Sequence, residues 1–172
     1  MDTIQLIVLS LTQGLTEFLP VSSSAHLIII SQLFEWKDQG MVIDTMAHLG
    51  SLFGFLFFLY FNKSRDDFNN SLFQLTDKLF DIQLIKKIIV ATIPAVLIGS
   101  LLRDIIVTYA RNSEVIAFTT IFFAFVLLMA DRRRGKRKTT DLSYKEALLI
   151  GFAQSVALIP GVSRSGITLA AG

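Results

Sequence analysis

Val42 to Phe61 reads VIDTMAHLGSLFGFLFFLYF, a run of 20 residues with one acidic and no basic side chain. As a helix it extends about 30 Å, the thickness of a bilayer's hydrocarbon core. Inside that core the backbone must satisfy its own hydrogen bonds, so such a run folds as a membrane-spanning helix. Residues 88–102 with their flanks and residues 114–130 meet the same condition, and Pro94 predicts a kink in the first of these. Composition agrees: 52% of the 172 residues are hydrophobic, 15 are Phe, and mean hydropathy is +0.59. A soluble domain is less apolar than this. The expected fold class is an all-α, polytopic integral membrane protein with residues 1–172 as one membrane domain.

The absence of Cys excludes disulfides, thiolate metal sites and a Cys nucleophile. Asp2 stands where a secretory signal would carry basic residues, and no small-residue cleavage site precedes a polar chain. The first apolar segment is therefore expected to belong to the mature protein.

Other apolar segments are too short to cross. Residues 4–19 would make a helix of about 24 Å and residues 24–34 one of about 16 Å. Pro20-Val-Ser-Ser lies between them. Residues 1–34 are expected to form a re-entrant hairpin whose broken turn lines a cavity or packs on protein. Residues 143–159 are another apolar helix, stopping at Pro160-Gly161, and 143–172 reads as the start of a second hairpin. Segments 62–87 and 131–142 are polar. The stretch 62–87 carries five Lys/Arg and 131–145 carries seven, together 12 of the chain's 16. The positive-inside rule makes both cytoplasmic and leaves 35–41, 103–113 and the N-terminus outside.

The two broken turns are versions of one another. Gln13–Ala25 reads QGLTEFLPVSSSA and Gln154–Gly166 reads QSVALIPGVSRSG. At an offset of 141 residues, Gln13 meets Gln154, Val21 meets Val162, Ser22 meets Ser163 and Ser24 meets Ser165. Charge placement has the first copy approached from outside and the second from the cytoplasm. The expectation is a pair of inverted-topology repeats, the second incomplete, whose turns meet near the midplane.

Each turn leads into a new helix, so Ser22, Ser23, Ser24, Ser163 and Ser165 are placed to cap amides. As plain caps they need no ligand. Two helix N-termini converging on one cavity would also attract an anion. Arg164 is costly in an apolar segment unless it faces a cavity and a partner. That partner is a phosphate or carboxylate, or Glu17 in a structural ion pair. Glu17 is the only acidic residue within the first apolar segment, and Gln13 shares its helical face. Their oxygens are hard ligands suited to Mg²⁺ or Ca²⁺; a neutral, hydrogen-bonded Glu is the structural alternative. His26 shares a short segment with Glu17 and Ser23, which favours a chemical role. His48 is read as pore-lining or packing. A hydroxyl, a carboxylate, an imidazole, a guanidinium and two helix ends suit phosphoryl transfer from an amphiphilic phosphate. On these residues alone, an enzyme acting on an anionic lipid and an anion transporter both stay open.

Two motifs carry a more specific resemblance. Gln13-Gly-Leu-Thr-Glu17-Phe-Leu-Pro-Val-Ser-Ser-Ser-Ala-His26 and Pro160-Gly-Val-Ser-Arg-Ser-Gly-Ile-Thr168 are similar to the motifs of the undecaprenyl-diphosphate phosphatase, or bacitracin-resistance, family. The resemblance implies hydrolysis of a C55 isoprenoid diphosphate to the monophosphate carrier of cell-wall synthesis, in the bacterial plasma membrane, with the site opening to the outer face. It implies Ser23 as nucleophile, with Glu17 and Gln13 orienting a divalent cation or activating the hydroxyl. His26 would assist proton transfer, and the roles of Ser23 and His26 could be exchanged. Arg164, Ser163, Ser165, Thr168 and Ser22 would hold the diphosphate. The implied partners are the lipid diphosphate and the bilayer, not nucleic acid, and a homodimer is compatible with the resemblance. Gln13 stands where Glu is common, which removes one carboxylate from a metal site, and Ser24-Ala25 replaces a common Thr-Gly. Family members are longer, and spans are expected after the repeat's second copy, so the chain is expected to be truncated. The alternatives are a lipid-phosphate transporter or flippase and an inactive truncated fragment.

Overall fold

The computed structural model describes residues 1–62, 81–132 and 142–172, and every regular element in them is helical. In chain order these are α1 (Thr3–Thr16), α2 (Ser23–Leu33), α3 (Gly40–Asn62), α4 (Ile82–Ile105) with a π-helical extension Ile106–Ala110, α5 (Ser113–Asp131), α6 (Tyr144–Ser155) with a 3₁₀ turn Val156–Leu158, and α7 (Arg164–Ala171). Three of them are long and apolar enough to cross a membrane: Gly40–Phe61, Ile82–Ala110 and Ser113–Asp131. Their side chains face outward, with Phe57, Leu101, Phe118 and Ile121 all more than 60% exposed. Such a surface demands an apolar solvent, and the chain is an integral membrane protein.

Local sequence explains most helix starts. Asp2 accepts the Gln5 amide at 2.7 Å to open α1, and Asn112 accepts the Val115 amide at 2.9 Å to open α5. Ser143 and Glu146 form a reciprocal capping box at α6. Asp81 accepts the Gln83 amide at 2.9 Å. That cap starts α4 at Ile82, inside the segment expected to be polar to residue 87, because a cap outweighs the two lysines that follow. The rest of that segment, 63–80, and residues 133–141 lie outside the described residues. The helix continues through buried Pro94 and onward to Ala110, so most of the expected outer connection 103–113 is helical.

Long-range bonds fix how the helices sit. The Gln5 side chain donates to the Lys37 carbonyl at 3.1 Å, so the α1–α2 hairpin returns to where it began. At that same end, Arg111 grips Asp38 at 2.6 and 2.8 Å and Asp44 at 2.7 Å. The far end of α4 therefore meets the start of α3. Its Arg111 hydrogen bonds hold the Asp38 carboxyl below the usual carboxylate range, against the opposing push of burial; Asp38 first, then Asp44, raise Arg111 in turn. At the opposite end, Tyr144 donates to Gln83 at 3.3 Å, placing the starts of α4 and α6 side by side. These two helices lie so close that any Cβ on Gly151 would strike the Ala91 carbonyl, with Ala91 Cα only 2.9 Å away. The α1–α2 and α6–α7 hairpins thus start from opposite ends and meet at their tips.

The buried core is small and sits at that meeting point. Ala25 and Ile28 of α2 cluster with Ile116 of α5, and Val162 in the second turn is 2% exposed. Several buried residues are polar (Gln5, Gln13, Ser22, Ser31, Asp44, Thr119 and Ser155), so the interior is where hydrogen bonds gather.

Candidate active site

The two tips use the same bonds 141 residues apart. Ser22 caps α2 by accepting the Ala25 amide at 3.4 Å, and Ser163 caps α7 by accepting the Gly166 amide at 3.2 Å. Ser22 and Ser24 hydroxyls lie 3.2 Å apart, and those of Ser163 and Ser165 lie 3.1 Å apart. The tips also hold each other. The Gly161 amide donates to Ser22 Oγ at 3.1 Å, and Ser165 donates to the Leu19 carbonyl at 3.2 Å. From α5, Thr119 donates to the Pro160 carbonyl at 2.7 Å and Thr120 to that of Gly161 at 3.3 Å.

Glu17 follows the last residue of α1, and its Oε2 gathers three partners. Gln13 Nε2 donates to it at 2.7 Å, Ser23 Oγ donates at 3.0 Å, and His48 Nε2 lies at 3.4 Å. Ser23 Oγ is itself 3.4 Å from His48 Nε2. The remaining ring nitrogen, His48 Nδ1, is 2.7 Å from the Asp44 carbonyl. Glu17 and His48 side chains are about one-quarter exposed, so solvent or a ligand reaches them. Ser23 is the first residue of α2, beside the positive end of that helix.

His48, expected as pore-lining or packing, is brought by α3 to the Ser23–Glu17 pair. The signal for it was an ionisable residue inside an apolar span. His26 goes elsewhere: its Nδ1 is 2.7 Å from the Ser22 carbonyl, and its ring lines a cavity of about 280 Å³ with Ser163, Gly161 and Thr120. Among the described residues it makes no hydrogen bond to Ser23 or Glu17. Ser22, expected at the diphosphate, is instead a structural tie. Its oxygen takes the Ala25 and Gly161 amides, and its hydroxyl lies 3.2 Å from that of Ser24. Arg164 is exposed at the first position of α7 and makes no ion pair among the described residues, so the pairing with Glu17 is not formed. Thr168 shares its one proton between the Arg164 and Ser165 carbonyls, both at 3.0 Å.

No cluster of three His, Cys, Asp or Glu side chains exists among the described residues. Gln13 Oε1 is fully buried and has no hydrogen-bond partner. An orphan amide oxygen beside a carboxylate fits a hard divalent ion that takes its other ligands from substrate phosphates, as Mg²⁺ commonly does. It does not fit an ion caged by protein alone.

A second, larger cavity of about 790 Å³ runs between α1 and α3. Its lining is mostly apolar, with Gly14, Phe18, Ala47, Gly50, Gly54 and Phe55 among its walls and Ser10, Gln39, Asp44 and Ser51 as its polar members. Gly14, Phe18 and Ala47 are the chain neighbours of Gln13, Glu17 and His48, so the cavity begins at the polar site. A Cβ on Gly14, Gly50 or Gly54 would meet nothing within 4 Å.

Residues 6–172 match the model of the family described as bacitracin resistance protein BacA. Over 174 residues the chain is 45% identical to an undecaprenyl-diphosphatase of Campylobacter curvus (strain 525.92), covering 99% of this chain and 65% of that protein. It is 47% identical over 176 residues to undecaprenyl-diphosphatase 1 of Pseudoalteromonas translucida (strain TAC 125), again 65% of that protein and 100% of this chain. The chain therefore spans 65% of the length of these curated relatives. With both turns, all three spans and the Glu17, Ser23 and Arg164 positions inside the matched region, the chain belongs to the bacitracin resistance protein BacA family.

Proposed function

We propose that this protein hydrolyses undecaprenyl diphosphate to the monophosphate and inorganic phosphate, recycling a lipid carrier for peptidoglycan synthesis, with bacitracin resistance as the phenotype. The observation that carries this reading is the Ser23 hydroxyl bonded to Glu17 at 3.0 Å at the head of α2. The names of the relatives support the substrate. The apolar cavity beginning beside Glu17 supports a lipid tail, which would lie between α1 and α3 while the diphosphate faces the tips.

In this mechanism Ser23 Oγ attacks the terminal phosphorus. The Oγ–P bond forms as the bridging P–O bond breaks, and the lipid monophosphate leaves with the electron pair. Water then cleaves the Oγ–P bond, restoring Ser23 and releasing phosphate. Arg164 holds the phosphate oxygens, and its planar fork suits them; Ser163, Ser165 and Thr168 join it by turning their hydroxyl protons away from the acceptors they now meet. Glu17 and Gln13 Oε1 would hold a divalent ion, which would supply charge neutralisation on those oxygens. Glu17 also orients the attacking hydroxyl, and Ser22 builds the turn.

The hairpins are read as inverted re-entrant repeats in the plasma membrane, with the Asp38 and Arg111 end outside, because Lys86, Lys87, Arg132 and Lys145 stand at the opposite helix ends. The chain has no Cys, so an Asn112→Cys variant tests this cleanly. A membrane-impermeant maleimide applied to intact cells should label it; labelling only after lysis reverses the topology.

Phosphate release from a polyprenyl diphosphate in detergent tests the activity. Arg164→Ala should lower kcat/KM about ten- to a hundredfold, mostly through KM. Glu17→Gln should cut turnover and its divalent-ion dependence together. Lipid flipping in liposomes without any phosphate release would replace this reading with that of a transporter.

A further inference from the structure

The geometry points to His48 as the catalytic residue that takes the proton from Ser23 during attack. This inference rests on the phosphatase reading. The Ser23 hydroxyl has one proton and two acceptors in reach: Glu17 Oε2 at 3.0 Å and His48 Nε2 at 3.4 Å. The tautomer of His48 decides its capacity. Nδ1 lies 2.7 Å from the Asp44 carbonyl, which can only accept, so Nδ1 carries the ring's proton. In the neutral ring Nε2 is then a bare lone pair aimed at the hydroxyl.

Prior bonding separates the two acceptors: Glu17 Oε2 is already engaged by the Gln13 amide at 2.7 Å, whereas His48 Nε2 keeps its lone pair for the hydroxyl. Once His48 is protonated, its Nε2–H faces Glu17 Oε2 at 3.4 Å, so the carboxylate stabilises the imidazolium where it forms. The charge balance closes. The Ser23 proton moves to Nε2 as the Oγ–P bond forms, then to the leaving monophosphate oxygen. Neutral His48 next takes a proton from the attacking water and returns it to Ser23 Oγ as phosphate departs.

The groups around the ring come from several elements. Glu17 follows α1, Ser23 lies on α2, and Asp44 shares α3 and is clamped by Arg111, which also binds Asp38. The clamp and the Asp44 carbonyl set the rotation of α3 that presents the ring, which makes them positioning groups.

Turnover of the purified protein tests the inference. His48→Gln keeps a polar side chain at this position but cannot relay the proton. It should lose about a hundredfold or more in kcat, with little change in KM. A His48→Gln protein with parental kcat, beside an inactive Ser23→Ala protein, overturns the role of His48 and leaves the phosphatase reading standing. Imidazole nitrogen NMR decides the matter without turnover and also covers a variant that folds poorly. Nδ1 should carry the proton and Nε2 should be bare, with a resonance that shifts in Ser23→Ala. A proton on Nε2 with Nδ1 bare, or no response to Ser23→Ala, overturns the inference even if the protein releases no phosphate.

Discussion

Ser23→Ala is expected to lower kcat for phosphate release by about 10⁴-fold or more, the scale seen when a nucleophilic hydroxyl is removed. The hydroxyl has no other structural work to confuse the result. Its hydrogen bonds run to Glu17 and His48, whereas the cap of α2 belongs to Ser22. Folding should therefore change by about 1 kcal/mol or less, the net worth of one partly exposed hydrogen bond. Thermal melting in detergent and phosphate release, measured on the same preparation, separate the two effects. Turnover within tenfold of the parent would remove Ser23 as the nucleophile. The matching Ser22→Ala change should show the opposite pattern. It leaves the Ala25 and Gly161 amides without their acceptor and costs stability first.

Gly161→Ala is expected to be the most damaging small change to the fold, costing at least about 2 kcal/mol of a total near 5–15 kcal/mol. Two independent reasons add. Its φ of +100° lies where side chains with a Cβ are strained. A Cβ there would strike the Thr119 hydroxyl and come within 2.8 Å of the Ile116 carbonyl and 3.0 Å of the Thr120 hydroxyl. The neighbours cannot yield, because Thr119 and Thr120 hold the turn by its carbonyls and the Gly161 amide holds Ser22. The loss should reach activity as well, since Ser22 sets the start of α2 one residue before Ser23. Gly14→Ala is the control. Its Cβ would meet nothing within 4 Å, and helix propensity favours Ala by about 1 kcal/mol, so melting should hold or rise. Equal melting temperatures for the two variants would refute the account of the second turn.

The helices and both turns were legible because their causes are local. Apolar runs matched to bilayer thickness marked the spans, and the Ser caps of α2 and α7 follow from residues three positions apart. The repeated turn motif was legible for the same reason: equal short-range chemistry makes equal bonds. Gln13 and Glu17 were placed together correctly by helical spacing, and the structure bonds them at 2.7 Å.

The choice between the two histidines was not legible. His26 stands three residues from Ser23 and His48 stands 25 away, yet only the distant one reaches the hydroxyl. On one helix, three residues bring two side chains near the same face, but His26 turns its Nδ1 back to the Ser22 carbonyl one turn earlier. The clamp of Arg111 on Asp38 and Asp44 had no sequence signal either, since its partners lie 73 and 67 residues away, one in a connection and one in α3. Ser22 carried a cap signal, but its tie to Gly161 spans 139 residues. Composition and short-range pattern specified a helical membrane protein and the serine caps that open α2 and α7. Which imidazole meets Ser23, and which serine ties the two tips, depended on how α3 and the second tip pack against the first. Such contacts arise from the three-dimensional closure of helices, and no periodicity along the chain encodes them.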